Sequence, residues 1–327
     1  MKTVIGIDVS KNKLDCLWLR DVDSRKVKAK VFANTPEAHQ QLMAWFEKNT
    51  GVALGQMLFV MEATGIYHER LAYALHEAGA QVAVVNPAQV RDYAKGIAVR
   101  TKTDKKDSLV LALYGAKEQP RLWQPEPAAV RRLKSLLWRL QALEEDIQRE
   151  QNRLEKAQIG QGNEVVEQSI HTVLEGLDKE RQRLEKLIDE HIDNDPQLKQ
   201  DKKLLQSIPG VGHVLSRYLM SLFRSRAFDS ASQMAAFVGV TPIQHQSGSS
   251  VNKPPRLSKA GDATLRAKLF MPAIVAARHN PSAMALYERL LARGKSKMAA
   301  IGAVMRKLVH ICFGVLKHQQ SYNPQAA

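Results

Sequence analysis

A chain of 327 residues, 44% of them hydrophobic, is long enough for two or three domains with buried cores, which excludes wholesale disorder. Its formal net charge of +15 points to a polyanionic partner, and the excess gathers late: residues 248–327 hold thirteen Lys and Arg against two acids, Asp262 and Glu288. No apolar run reaches transmembrane length, the first one is broken by Asp8 and Lys11 and does not read as a signal peptide, and Cys16 and Cys312 are too few and too distant for a disulfide framework or a zinc site. No membrane association and a reducing cytoplasm are therefore expected.

The first strand, TVIGIDVS at residues 3–10, is a β-branched apolar run with Asp8 near its C-terminal end. Burying such a carboxylate is costly unless a metal or a basic side chain pairs with it. A plain strand-end aspartate that caps a turn is the ordinary alternative. Residues 13–20 and 27–34 read as two further strands joined by the charged turn Asp21-Val22-Asp23-Ser24, an antiparallel meander. Thr35-Pro36-Glu37 opens a helix, with Thr35 as N-cap and Pro36 at the first helical position. Residues 57–61 form a buried strand ending in Glu62-Ala63-Thr64-Gly65, a helix covers 67–77, and 82–85 is a fifth strand ending at Asn86-Pro87. With a last helix starting at Asp104, the order predicts an α/β mixed sheet with helices packed on it.

Residues 125–198 change character. Val130, Leu133, Leu137, Leu140, Leu143, Ile147 and Leu154, then Val166, Ile170, Val173, Leu177, Leu184 and Ile188, recur at three- and four-residue steps among many charges. The interruption Gly160-Gln161-Gly162-Asn163 makes this a helical hairpin or coiled-coil arm, each helix on the order of 40 Å long. An intramolecular pair with solvated faces and an oligomerisation arm fit the pattern equally. Residues 199–327 are mainly helical. There, Ile208-Pro209-Gly210-Val211-Gly212 between two apolar-periodic segments matches a helix-hairpin-helix, in which Gly210 and Gly212 would let backbone N–H groups approach a DNA phosphate. A plain helix-turn-helix corner is the alternative. The polar loop Gln246-Ser247-Gly248-Ser249-Ser250 follows, then basic residues at Lys253, Arg256, Lys259 and Arg266, and helices over 262–278 and 297–318 complete the chain.

Three acids stand where Asp8 would want company. Glu62 closes the strand at 57–61, and Asp104 and Asp107 open a helix at i and i+3, hence on one face. Acids also suit a helix N-terminus for reasons of dipole alone. Together with two strand-end acids, however, they make an oxygen-rich set of the kind that holds magnesium and supports phosphoryl transfer. Ser247 on its own reads as part of a flexible Gly/Ser loop. The ten histidines show no pair at metal-ligand spacing on a predicted helix, and Trp18, Trp45, Trp123 and Trp138 read as core or interface residues rather than base-stacking platforms.

The motifs IGID (5–8), EATG (62–65), NP (86–87), TDKKD (103–107), IPGVG (208–212), FVGVTP (237–242), SGSSV (247–251) and LSKAGDATLR (257–266) occur in one order over nearly the whole chain. In this the sequence resembles the DEDD-type recombinases of bacterial insertion sequences, the "one-ten" family, to which the Piv invertase is related. The resemblance implies a RuvC-like, ribonuclease-H-like domain at 1–124 with Asp8, Glu62, Asp104 and Asp107 around Mg2+ or Mn2+. It further implies an oligomerising arm at 125–198 and a transposase domain at 199–327 whose nucleophile is Ser247. Donor and target DNA, a structured bridge RNA, a dimer or synaptic tetramer, and action at the bacterial nucleoid belong to the same implication. One departure is local: where the family runs into basic and glycine residues after SGSSV, this chain has Asn252-Lys253-Pro254-Pro255-Arg256, whose prolines stiffen the segment.

Three rival readings remain: a RuvC-like nuclease or junction resolvase that uses water, a non-catalytic DNA-binding protein, and a sugar-kinase or actin-like ATPase. The last needs a second glycine-rich phosphate turn and an adenosine motif, and the sequence has neither.

Overall fold

In a computed structural model, described here for residues 3–63, 65–98, 103–160, 162–247 and 251–324, the chain forms two units, Met1–Pro125 and Glu126–Ala327. For Asp104, Lys105 and residues 245–247 and 251–254 the description is of the backbone alone.

The first unit is built on one five-stranded sheet. Strands β1 (Thr3–Val9), β2 (Lys13–Leu19) and β3 (Val27–Ala33) form the expected antiparallel meander, and β4 (Met57–Glu62) and β5 (Gln81–Val85) add parallel to β1, giving the order β3-β2-β1-β4-β5. This is the ribonuclease-H-like mixed sheet. Helix α1 (Pro36–Thr50), a 3-10 turn (Leu54–Gln56), α2 (Glu69–Glu77), α3 (Pro87–Gly96) and α4 (Asp104–Glu118) complete the unit. Because β1 is covered on both sides, its apolar run is nearly continuous instead of alternating. Ile5, Ile7 and Val9 pack with Leu42 and Phe46 of α1 and Leu71 and Leu75 of α2. On the other face Val4, Leu58 and Val60 meet Val90 of α3 and Val110 and Leu113 of α4. Thr35 caps α1 as expected, its side chain accepting from Ala38 N. Helix α3 is an addition to the sequence reading, and it starts by the same device: Asn86 accepts from Ala88 N, with Pro87 in the first turn.

The second unit opens with the hairpin of α5 (Ala128–Ile159) and α6 (Glu164–Asn194), each about 48 Å long at 1.5 Å per residue. Then come α7 (Pro196–Gln206), α8 (His213–Ser225), α9 (Ala231–Val238), β6 (Pro242–Ser247), β7 (Val251–Leu257), α10 (Ala263–His279), α11 (Pro281–Ala292) and α12 (Lys297–His318). Val130, Leu133, Leu137, Leu140 and Leu143 of α5 and Leu184, Ile188 and Ile192 of α6 share one core with Leu205, Leu219, Leu269, Val304 and Leu308. Only the near halves of the two long helices are buried in it. Helix α12 is the one described helix apolar and long enough to cross a membrane, and 67% of that stretch is buried in this core.

Gln246 and Ser247, expected in a polar loop, end strand β6, which pairs antiparallel with β7 from Pro242↔Leu257 to Ser247↔Val251. The register slips between Ile243↔Arg256 and His245↔Lys253, so Pro254 and Pro255 together oppose Gln244. A bulge in a two-stranded ribbon tolerates the missing N–H groups of both prolines.

Candidate active site

The register of the central strands sets the site. Ile7 of β1 lies beside Met61 of β4 in the parallel pair, so one step further along puts Asp8 beside Glu62. Alternation places Asp8 on the face of Val4 and Gly6, and Glu62 on the face of Leu58 and Val60, which is the α4 side for both. Both acids are half-buried.

The direction of α4 is fixed by two close approaches. A Cβ on Gly6 would collide with the Ser108 carbonyl and lie 2.6 Å from Ala112 N, while one on Gly115 would meet Val60 and lie 3.0 Å from Val4 Cγ1. From Ser108 to Gly115 the helix therefore runs from Gly6 back toward Val4, antiparallel to β1. Its N-terminal turn, with Asp104 and Asp107, comes to the edge that carries Asp8 and Glu62. Asp107 is half-buried beside fully buried Ser108, whose hydroxyl donates to the Asp15 carbonyl at 2.7 Å and ties α4 to β2. The Thr103 side chain caps the helix by accepting from Lys106 N. The backbone of Asp104 stands at the first position of α4, and its side chain lies outside the described residues.

Two features of this edge were not read from the sequence. Asp15 pairs with Asp8 across β1–β2 and so shares its face; its carboxylate is 3.1 Å from Lys13 Nζ. A Lys-x-Asp alternation in a predicted strand was the available signal, but the face depends on the β1–β2 register. Burial, and then the Asp15 charge, push the neighbouring Cys16 thiol well up, which leaves it protonated and inert. The second feature is Asn34. Its Nδ2 donates to the Ser10 carbonyl at 3.0 Å and the Tyr67 carbonyl at 3.1 Å, bridging the loops that follow the Asp8 and Glu62 strands. Its Oδ1 lies 2.9 Å from His39 Nε2, and burial, then Arg70, lowers the pKa of His39 and favours the neutral ring.

Asp8 and Glu62 thus stand on one side of one sheet edge, to which α4 brings Asp107 in its first turn; carboxylates of this kind would suit a hard divalent cation. Among the described side chains, no three His, Cys, Asp or Glu stand together at metal-holding spacing. The edge gathers the acids without closing them into a cage, and the side chain of Asp104 is not among those described.

In the second unit the backbone of Ser247 ends β6, opposite Val251; Gly248, Ser249 and Ser250 lie outside the described residues. Gly210, at φ +99°, backs onto α10, where a Cβ would come 2.8 Å from Ala276 Cβ and 3.0 Å from the Pro272 carbonyl. Gly212 is open, exposed, and stands at the N-terminus of α8 with no side-chain cap. Arg256 and Lys259 are exposed, and Lys253 is placed by backbone only. Arg266 is half-buried: its Nη1 donates to the Val238 carbonyl at 3.1 Å, beside Gly239. Three backbone bonds add to that clamp at the foot of the β6–β7 hairpin, Ser258 N to Thr241 O, Lys259 N to Gly239 O and Asp262 N to Phe237 O.

A ribonuclease-H-like sheet with acids from two parallel strands and a helix N-terminus at one edge suits metal-assisted phosphoryl transfer. The family comes from comparison with known proteins. A DEDD transposase model of the IS110 type (Transposase) matches residues 5–157, and the model "Transposase IS116/IS110/IS902 family" matches 202–288. The chain is 32% identical over 327 residues to the pilin gene-inverting protein of Moraxella bovis, covering 98% of both. It is 24% identical over 160 residues to an IS110 insertion-element 43.6 kDa protein of Streptomyces coelicolor, covering 49% of this chain and 38% of that one. The Thermus thermophilus RuvC structure aligns with 37% of this chain and 99% of its own, at 14% identity and a TM-score of 0.28. The chain belongs to the IS110 family of transposases and is a DNA recombinase of that family.

Proposed function

We propose that this recombinase cuts and rejoins DNA through a covalent ester on Ser247, with Asp8, Glu62, Asp104 and Asp107 holding Mg2+ or Mn2+. The observation that carries the metal half is the meeting of Asp8, Glu62 and the N-terminal turn of α4 at one edge. A divalent ion bound there supplies Lewis-acid polarisation of a phosphate oxygen and neutralises charge on the departing oxygen. Ser247 supports the other half by its place at the end of β6, in a pair of strands whose foot is clamped. Its hydroxyl loses a proton as Oγ bonds to phosphorus, and the deoxyribose oxygen leaves with the bonding pair and is protonated. Attack by another strand's hydroxyl reverses the step and frees the serine, so religation needs no nucleotide triphosphate.

Strand choice is assigned to a bridge RNA paired with donor and target DNA, in the manner of RNA-guided systems. Gly212, Lys253, Arg256 and Lys259 are proposed to bear on phosphate backbones, supported by the thirteen cations after residue 247. Gly210 and Arg266 are proposed to serve the same surface by fixing the turn and the hairpin behind it. Assembly as a dimer, or a tetramer on paired DNA, is proposed to run through the far half of the α5–α6 hairpin, where Ile159, Val165, Val166 and Val173 are exposed.

The test is Ser247→Ala with end-labelled donor DNA and Mg2+. A protein–DNA adduct on denaturing gels should be present in the parent and absent in the variant. A variant that still cuts, with no adduct in either protein, would instead establish a nuclease that uses water.

A further inference from the structure

Three of the four tryptophans, Trp18, Trp45 and Trp123, pack against the sheet core. Trp138 does not: it is 55% exposed on α5. Leaving a large ring in water forgoes burial worth more than almost any other side chain offers. Its surroundings are as unusual. Residues 128–143 contain Arg131, Arg132, Lys134 and Arg139 and no acid, whereas residues 144–155 contain Glu144, Glu145, Asp146, Glu150 and Glu155. The first turn of α5 holds no acidic residue either, although acids are favoured there and cations are not. Helical spacing lines up Arg131, Lys134 and Trp138 on one stripe, with Arg132 and Arg139 on the next. Lys134 Nζ sits 5.4 Å from the Trp138 ring centroid while pairing with Glu126 at 2.8 Å. Arg131, Arg132 and Arg139 are exposed.

An exposed ring flanked by cations at helical intervals fits a flexible polyanion that also offers flat aromatic faces. A duplex buries its bases in the stack and offers mainly phosphate; a single strand offers both, base to the indole and phosphates to the guanidinium groups. We propose that the Arg131–Arg139 face of α5 is a binding surface for single-stranded DNA, with Trp138 stacking on an unpaired base. The occupant follows from charge complementarity together with the family's substrate, DNA, and from the exposed ring, which a duplex would leave unstacked. This inference rests on the recombinase reading but not on Ser247 or the metal.

The experiment uses the full chain and an oligothymidylate, read by tryptophan quenching and by anisotropy, with a blunt duplex and an oligouridylate as further arms. Trp138→Ala should remove most of the quenching and weaken single-strand binding roughly tenfold while duplex binding holds. Trp138→Phe should recover part of the affinity, and Arg132→Ala with Arg139→Ala should flatten its salt dependence. Unchanged single-strand affinity in Trp138→Ala overturns the proposal. So does a loss confined to oligouridylate, or a fall in molar mass by light scattering that marks the ring as a contact between copies. A parent protein that binds no DNA at all would instead undo the recombinase reading, and an adduct that still forms in Trp138→Ala keeps the two claims separate.

Discussion

Gly6 carries more of the site than its size suggests. Any side chain there would strike the backbone of α4 at Ser108 and Ala112, so Gly6→Ala must lift the helix that brings Asp104 and Asp107 to the edge. The expected cost is about 1–3 kcal/mol of stability from overpacking, seen as a lower thermal midpoint, together with lost Mn2+ binding by calorimetry. Ser108→Ala removes the hydroxyl bond to the Asp15 carbonyl and should cost about 1 kcal/mol with metal binding nearly kept. Equal metal binding in Gly6→Ala and the parent would show that α4 does not set the acids. In the second unit the fully buried Asp201 accepts both Arg224 Nε (2.6 Å) and Nη2 (2.8 Å), and Gln319 Nε2 at 3.0 Å. Asp201→Ala takes the carboxylate from the half-buried Arg224 guanidinium and from Gln319, and urea denaturation should show a loss of about 1–3 kcal/mol. The places of Asp8 and Glu62 near strand ends and of Asp104 and Asp107 in the first turn of a helix were legible because such acids can be read one segment at a time. Asp15 and Asn34 were not, since their parts depend on a strand register and on two loops meeting.

Among the elements, the helix starts show what a sequence signal is worth. Thr35-Pro36, Asn86-Pro87, Asp195-Pro196 and Asn280-Pro281 each put a side-chain cap before a proline in the first turn, and each begins a helix. At the first site a clear apolar periodicity follows the signal and makes the helix legible; at α3 and α11 the periodicity is weaker and the signal alone does not announce a helix. The β6–β7 hairpin was illegible for the opposite reason. Gly, Ser and Pro argue for loop, and the strands exist because the clamp at Gly239 to Asp262 brings them together. The arm helices are braced near their base by Asp189 of α6, which accepts from Arg217 Nη2 at 2.6 Å and from Lys202 Nζ at 3.4 Å. Burial opposes that carboxylate, but Arg217 and then Lys202 outweigh it and hold its pKa below the ordinary 3.8. A depressed folded value means this contribution is complete above pH 3.8 and is lost as the pH falls through the lowered value. Asp189→Asn should therefore flatten the acid limb of the urea midpoint against pH, and an identical limb in the variant would remove Asp189 from the brace. Farther out, Val166→Lys with Val173→Lys should leave the melting curve unchanged and lower the molar mass by light scattering if the exposed valines join copies.

For the molecule as a whole, two units differ in how far their build follows from the sequence. The first unit is a sheet whose topology could be written down from strand and helix order, because short links force a meander and longer ones force parallel crossovers. The second is helical, with one core running from the base of the arm to α12, and its packing could not be foreseen from periodicity alone. The family assignment rests on both, since the two transposase models match one after the other along the chain. The proposed seat of the metal is the edge shared by β1, β4 and α4, and anomalous diffraction at the manganese edge, from crystals of the full chain grown with Mn2+, can locate the ion. Anomalous density should appear about 2 Å from carboxylate oxygens of Asp8 and Glu62 and of at least one of Asp104 and Asp107. Manganese bound elsewhere, with those carboxylates turned apart, would contradict it.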